Sequence, residues 1–229
     1  MKGHILLEGG AEFGGRMEEP DKRALELAGG LDAQVSIIPT AAVPDHNHRR
    51  AGQSGVRWFQ RLGATRVTSL PLIDRASADQ SALASALRRS RLIYILGGFP
   101  RYLAQTLAGT SSWRAILEAY ATGAVIGGSS AGAMILCGHY YDPDTERIAE
   151  GLNVVPRAYL IPHHDTFGKG WAPSLVPSLP DAVFVGVDEQ TGLIDDGAEG
   201  EWTIYGKGLV TIYRGGKTRT HRSGETLSL

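Results

Sequence analysis

A chain of 229 residues with 42% hydrophobic and 21% charged positions can build one substantial core and has too few charges for long disordered stretches, so a single domain over 1–229 is expected. The formal net charge of −1 offers no basic footprint for phosphate backbones or anionic lipid, which sets nucleic acid and membrane aside as partners. The lone cysteine, Cys137, excludes an internal disulfide and a multi-cysteine metal site, and the apolar run near the N-terminus is too short for a secretory signal, so the expected location is cytoplasmic.

In chain order, a short aliphatic run at 5–7 ends in a glycine-rich loop, and a helical pattern follows at 21–28. Runs at 35–38, 67–70, 92–96, 124–126 and 183–187 repeat the strand pattern and are expected to be buried on both faces. Amphipathic stretches at 50–62, 80–89, 101–108 and 113–121 alternate with them. Beyond residue 191, three runs (192–194, 202–205 and 209–213) are separated by Asp-Gly and Gly-Lys-Gly, which favour antiparallel hairpins. The expected fold is α/β: a three-layer α/β/α sandwich with a mainly parallel sheet and a small hairpin-rich C-terminal part. In such sheets ligands bind where strands lead into helices, which directs attention to the loops at 8–15, 39–47, 97–101 and 127–133.

The last of these loops carries Gly128-Ser129-Ser130-Ala131-Gly132-Ala133 between a buried strand and a helical stretch. A serine at the centre of Gly-x-Ser-x-Gly sits on a tight turn that tolerates only small neighbours and lifts its hydroxyl above the sheet. The same turn aims the Ala131 amide at a developing oxyanion, and the paired glycines Gly97 and Gly98 can bring a second backbone donor close. A glycine-rich turn that holds an anion or merely packs tightly is the competing reading.

A neutral serine needs a nearby base, and among seven histidines the pair His163-His164 stands where an apolar run at 158–161 gives way to a loop. His163 is preferred and His164 stays open. The acid that orients it is sought at Asp188-Glu189, at the end of the 183–187 run, with Glu189 preferred.

Together these segments resemble the cyanophycinase and dipeptidase E family of serine peptidases, relatives in fold of the class I glutamine amidotransferases. The likeness runs through Leu6-Leu7-Glu8-Gly9-Gly10-Ala11-Glu12, Ile37-Ile38-Pro39-Thr40-Ala41, the Gly97-Gly98 pair, the Ser130 turn, Pro162-His163 and Gly186-Val187-Asp188-Glu189-Gln190-Thr191. It implies a Ser130–His163–Glu189 triad, an oxyanion hole from the Gly98 and Ala131 amides, acyl transfer to water, and no metal or organic cofactor. The family's polar pair after the two glycines is replaced by Phe99-Pro100, and the arginines following its histidine by Thr166-Phe167-Gly168-Lys169-Gly170-Trp171. A small acidic, aspartyl-type peptide is therefore the expected substrate and partner, with Gly97, Phe99, His164 and Lys169 facing it, and a homodimer is admitted. Arg101 and Arg157 are further candidates for a substrate carboxylate. Two other readings are an α/β-hydrolase esterase using His221 with Asp195 or Asp196, and a non-catalytic small-ligand-binding module. A glutamine amidotransferase is disfavoured because Cys137 lies seven residues beyond the turn and reads as a packed helix residue.

Overall fold

The structure, a computed structural model, describes residues 2–229. Its elements run β1 (Ile5–Glu8), α1 (Glu18–Leu27), β2 (Gln34–Ile38), α2 (His48–Arg61), β3 (Arg66–Ser69), α3 (Arg75–Ala78), α4 (Ser81–Arg89), β4 (Leu92–Ile95), α5 (Pro100–Leu107) and α6 (Ser111–Ala121). They continue through β5 (Val125–Ser129), α7 (Ala131–Leu136), β6 (His139–Asp142), β7 (Arg147–Glu150), β8 (Ala158–Ile161) and α8 (Ala172–Leu175). The chain closes with β9 (Val183–Val187), β10 (Thr191–Ile194), β11 (Trp202–Gly206), β12 (Leu209–Arg214), β13 (Lys217–Arg222) and β14 (Thr226–Leu227).

Period-two alternation in the central strands sets the layers. Leu6, Val35, Ile37, Leu92, Tyr94 and Val125 pack against Leu25 of α1 and Phe59 of α2. Their neighbours Ile5, Leu7, Ile93, Ile95 and Ile126 point the other way, onto Leu83, Leu103 and Ile116 of α4, α5 and α6. The main sheet has the order β14-β11-β10-β1-β5-β4-β2-β3; β1 to β3 of that list are parallel, and β10, β11 and β14 extend it antiparallel. This is the expected mainly parallel sandwich.

Three features depart from the reading of the sequence. The 183–187 run is buried, but β9 lies in a second sheet, β13-β12-β9-β8, whose Leu160, Val185, Val210 and Ile212 join the core on the α4–α7 side. β3 is an edge strand with Arg66 and Thr68 exposed, because β2 is its only partner in the sheet. Of the C-terminal runs, β10 and β11 pair as expected, whereas β12 leaves them for β9 and β13. The β6–β7 hairpin was not legible either. Among the described residues no helix is long and apolar enough to cross a membrane.

One polar cluster interrupts the α1–α2 side of the core. Glu8, at the end of β1, and Asp21, in α1, are fully buried; the Tyr94 hydroxyl donates to Glu8, and Trp58 Nε1 donates to Asp21 at 2.7 Å. Burial and the neighbouring Asp21 charge hold the Glu8 carboxyl well above its ordinary range, and burial lifts Asp21 from 3.8 to about 7. Glu8 Oε1 and Asp21 Oδ1 are buried without a hydrogen-bond partner, and a proton kept on the pair relieves the repulsion of two carboxylates that could not both be charged there.

The sign of the resulting pH dependence follows from the raised value. Stability from the Asp21 proton is fully present below pH 3.8 and is lost as the pH rises through about 7, because the unfolded chain releases the proton first. Each unit of pKa difference is worth about 1.4 kcal/mol. Asp21→Asn keeps an acceptor for Trp58 and removes the titration, so its Tm should fall less than the wild-type Tm between pH 5 and pH 8, as thermal unfolding at the two values will measure.

Candidate active site

The turn between β5 and α7 is shaped by contact rather than by flexibility. A Cβ on Gly132 would lie 2.2 Å from the Ile95 carbonyl oxygen, and one on Gly128 would lie 2.6 Å from the Gly132 carbonyl carbon. Strand and helix thus touch backbone to backbone, and the chain reverses between them at Ser130 with φ +48° and ψ −115°. The Ser130 amide donates to the Glu8 carbonyl at 3.0 Å, which pins the turn to β1. Ser129 points the opposite way, is buried, and donates to Glu12 Oε2 at 2.9 Å.

The imidazole that faces Ser130 comes from the loop after β8. His163 also has positive φ, +48°; its amide donates to the Gly9 carbonyl at 2.8 Å, and its carbonyl accepts from the amides of Thr166 and Gly168. Gly10 lies against the imidazole so closely that a Cβ there would be 2.3 Å from Cε1. The Phe167 ring stacks on the imidazole with centroids 4.7 Å apart. So held, His163 meets Ser130 Oγ at 3.1 Å through Nε2 and Glu189 Oε1 at 2.8 Å through Nδ1. An ionised carboxylate can only accept, so Nδ1 carries the hydrogen and Nε2 is left to accept from the serine.

Glu189 follows β9 and is tied to the histidine loop by its own amide, which donates to Asp165 Oδ1 at 2.8 Å. The next amide, that of Gln190, donates to the Gly10 carbonyl. Asp165 and Glu12 were not singled out from the sequence. Both act across more than twenty residues of chain, and no local pattern announces such a partner.

Other sequence candidates separate clearly. Gly97 sits directly behind Ser130, and Gly98 lines the cleft beside it; among the described residues neither the Gly98 nor the Ala131 amide donates to a backbone carbonyl. His164 does not face the cleft. Only 4% exposed, it bonds the Tyr213 hydroxyl through Nε2 at 2.8 Å and pairs with Asp188 across 3.5 Å, and burial pushes its pKa down against the pull of Asp188. Its amide donates to the Val187 carbonyl at 3.1 Å, and its ring fills the space left by Gly186, where a Cβ would lie 2.3 Å from Cδ2. Asp188 is spent on the Leu209 amide and on His164, and Glu189 is the carboxylate that meets His163. Phe99 opens onto a neighbouring depression with Arg101 and Tyr102, and Lys169 does not line the cleft. Arg157 borders a separate cavity.

The alternative serine–acid–histidine order is not assembled. His221 lies on β13 with Glu225 3.5 Å away, Asp195 serves Ile5 and His4, and Asp196 serves Arg23 and Tyr205. Cys137 is buried at the end of α7, where burial pushes its thiol up to about 12, far from a nucleophilic thiolate. Among the described residues no three His, Cys, Asp or Glu side chains are grouped so as to hold a metal ion.

A family model described as Peptidase family S51 matches residues 5–200. A cyanophycinase of Synechococcus elongatus is 30% identical over 223 residues, spanning 92% of this chain and 68% of that protein. A cyanophycinase of Geminocystis herdmanii is 28% identical, spanning 94% and 82%. Among solved structures, a peptidase from an acI-B1 Actinobacterium superposes with a TM-score of 0.89 at 30% identity, covering all of this chain and 98% of the other.

Because His164 is a packed, paired group, His164→Ala should lower the free energy of unfolding by about 1–3 kcal/mol by stranding Asp188 and Tyr213. Chemical denaturation of the variant beside wild type will measure it.

Proposed function

Since the chain belongs to peptidase family S51 and is thereby a serine-type peptidase, we propose that it cleaves its substrate through an acyl-enzyme on Ser130, with His163 as base and Glu189 as the acid that orients it. The observation that supports this reading is the unbroken hydrogen-bonded line from Ser130 Oγ through the His163 ring to Glu189, at 3.1 and 2.8 Å.

In the reaction, His163 Nε2 takes the hydroxyl proton as Ser130 Oγ attacks the peptide carbonyl. Glu189 keeps Nδ1 protonated and balances the imidazolium that forms. Negative charge gathers on the carbonyl oxygen, and the Gly98 and Ala131 amides are the donors offered to it, aided by the positive end of α7. His163 then passes its proton to the leaving amine, the C–N bond breaks, and the acyl group stays on Ser130. Water deprotonated by His163 attacks the ester, releasing the acid and restoring the serine. Phe167 and Gly10 confine the imidazole between them, so the ring need not search for its orientation in each cycle.

Ser130→Ala should abolish hydrolysis and labelling by a fluorophosphonate. Glu189→Gln should lower kcat by about 10⁴-fold by allowing the wrong imidazole tautomer. Intact-mass measurement of the labelled protein, with His163→Ala alongside, tests the assignment: labelling that proceeds at the wild-type rate without His163 would overturn it.

A further inference from the structure

We infer that the side chain held next to the scissile bond is apolar and bulky, of the leucine, methionine or phenylalanine kind, and neither acidic nor basic. This rests on the reading of Ser130 as nucleophile and adds the substrate class to it.

The cleft that opens beside Ser130 has a volume of about 180 Å³. Apart from Ser130, the His163 ring and the Gly98 backbone, its walls are Pro100, Met134, Pro143, Pro162, Phe167 and Trp171. The polar atoms at its edge are those the reaction itself uses, and no Lys, Arg, Asp or Glu side chain contributes to the lining. A carboxylate or guanidinium entering this space would lose water and meet no opposite charge, which disfavours both.

The nearest candidates for a counter-charge are engaged elsewhere. Arg101 faces the adjoining depression, where its Nε lies 3.4 Å from Asp142. Asp142 is itself buried and accepts from the Thr145 hydroxyl at 2.5 Å. Lys169 is outside the lining. The expectation of an acidic peptide, which needs a cation here, finds no residue to carry it.

The aromatic wall strengthens the case. Phe167 meets Trp171 edge-on at 5.4 Å, and Trp171 packs on Tyr141 at 4.9 Å, so three rings are braced in series from the rim inward. At 55% exposure Phe167 is the most exposed large hydrophobic side chain among the described residues, and it stands at the mouth of the cleft. An apolar substrate group laid against it would remove that surface from water. Met134 at the base is unbranched and polarizable, suited to fitting more than one apolar shape.

The test pairs hydrolysis with binding. Blocked dipeptides are varied in turn on each side of the scissile bond through Phe, Leu, Asp and Arg, and kcat/KM is measured for wild type and Trp171→Ala. In parallel, calorimetry follows N-acetyl-phenylalaninamide and N-acetyl-aspartamide binding to Ser130→Ala. The expected result is a preference for Phe or Leu over Asp and Arg of at least about tenfold on one side of the bond. Trp171→Ala, at a half-buried position, should erase most of that preference by raising KM for the apolar substrates. Preferred cleavage of the aspartyl or arginyl peptides, or equal binding of the two amides, would overturn the inference and leave the nucleophile standing. Selective binding of the phenylalanyl amide with no hydrolysis of any peptide would support the cleft's chemistry and overturn the acyl-enzyme reading instead.

Discussion

The site depends on one steric contact, the backbone-to-backbone approach of β5 and α7. With the Gly132 backbone of α7 occupying the place where a Gly128 side chain of β5 would be, and the Ile95 carbonyl of the neighbouring β4 occupying that of Gly132, strand and helix come so close that the chain reverses through a left-handed residue at Ser130. That conformation is unfavourable for serine alone, by roughly 1–3 kcal/mol. The buried packing of α7 and the bond from the Ser130 amide to Glu8 offset it. The hydroxyl is therefore held clear of the sheet by packing that involves no part of the hydroxyl itself.

The remaining groups are brought in by hydrogen bonds from main-chain amides between loops that are distant in sequence. Gly9 accepts from the His163 amide, Gly10 accepts from the Gln190 amide, and Asp165 accepts from the Glu189 amide. Each tie joins two of the three loops after β1, β8 and β9, so histidine and glutamate are positioned as one unit against the first strand. Ala11, Phe13, His163 and Gln190, all in these loops, have positive φ, as expected where the surroundings dictate backbone shape. At the end of β1 the Glu8–Asp21 pair keeps its proton against burial, which prevents a doubled negative charge in the core.

The second sheet explains why a short C-terminal part matters to the chemistry. β8 and β9 run parallel, with Ile161 opposite Gly186, so the two loops that follow them leave at one edge, side by side. His163 and Glu189 emerge from those loops. His164, one residue later, lies inward over Gly186, which has no side chain to oppose it, and becomes part of the packing with Tyr213 of β12.

Local reading sufficed where a residue's role is dictated by its immediate neighbours. Strands with aliphatic alternation, helices with an apolar stripe, and the small residues around Ser130 all carry their cause within a few positions, and these were legible. The resemblance across segments also pointed to His163 and Glu189 as partners of the serine. What no stretch of sequence could contain was contact between stretches: the departure of β9 and β12 to a separate sheet, the inward turn of His164, the support from Asp165 and Glu12, and the apolar character of the cleft. Those are settled by which surfaces meet when the core closes, because burial and hydrogen bonding act on neighbours in space and are indifferent to distance along the chain.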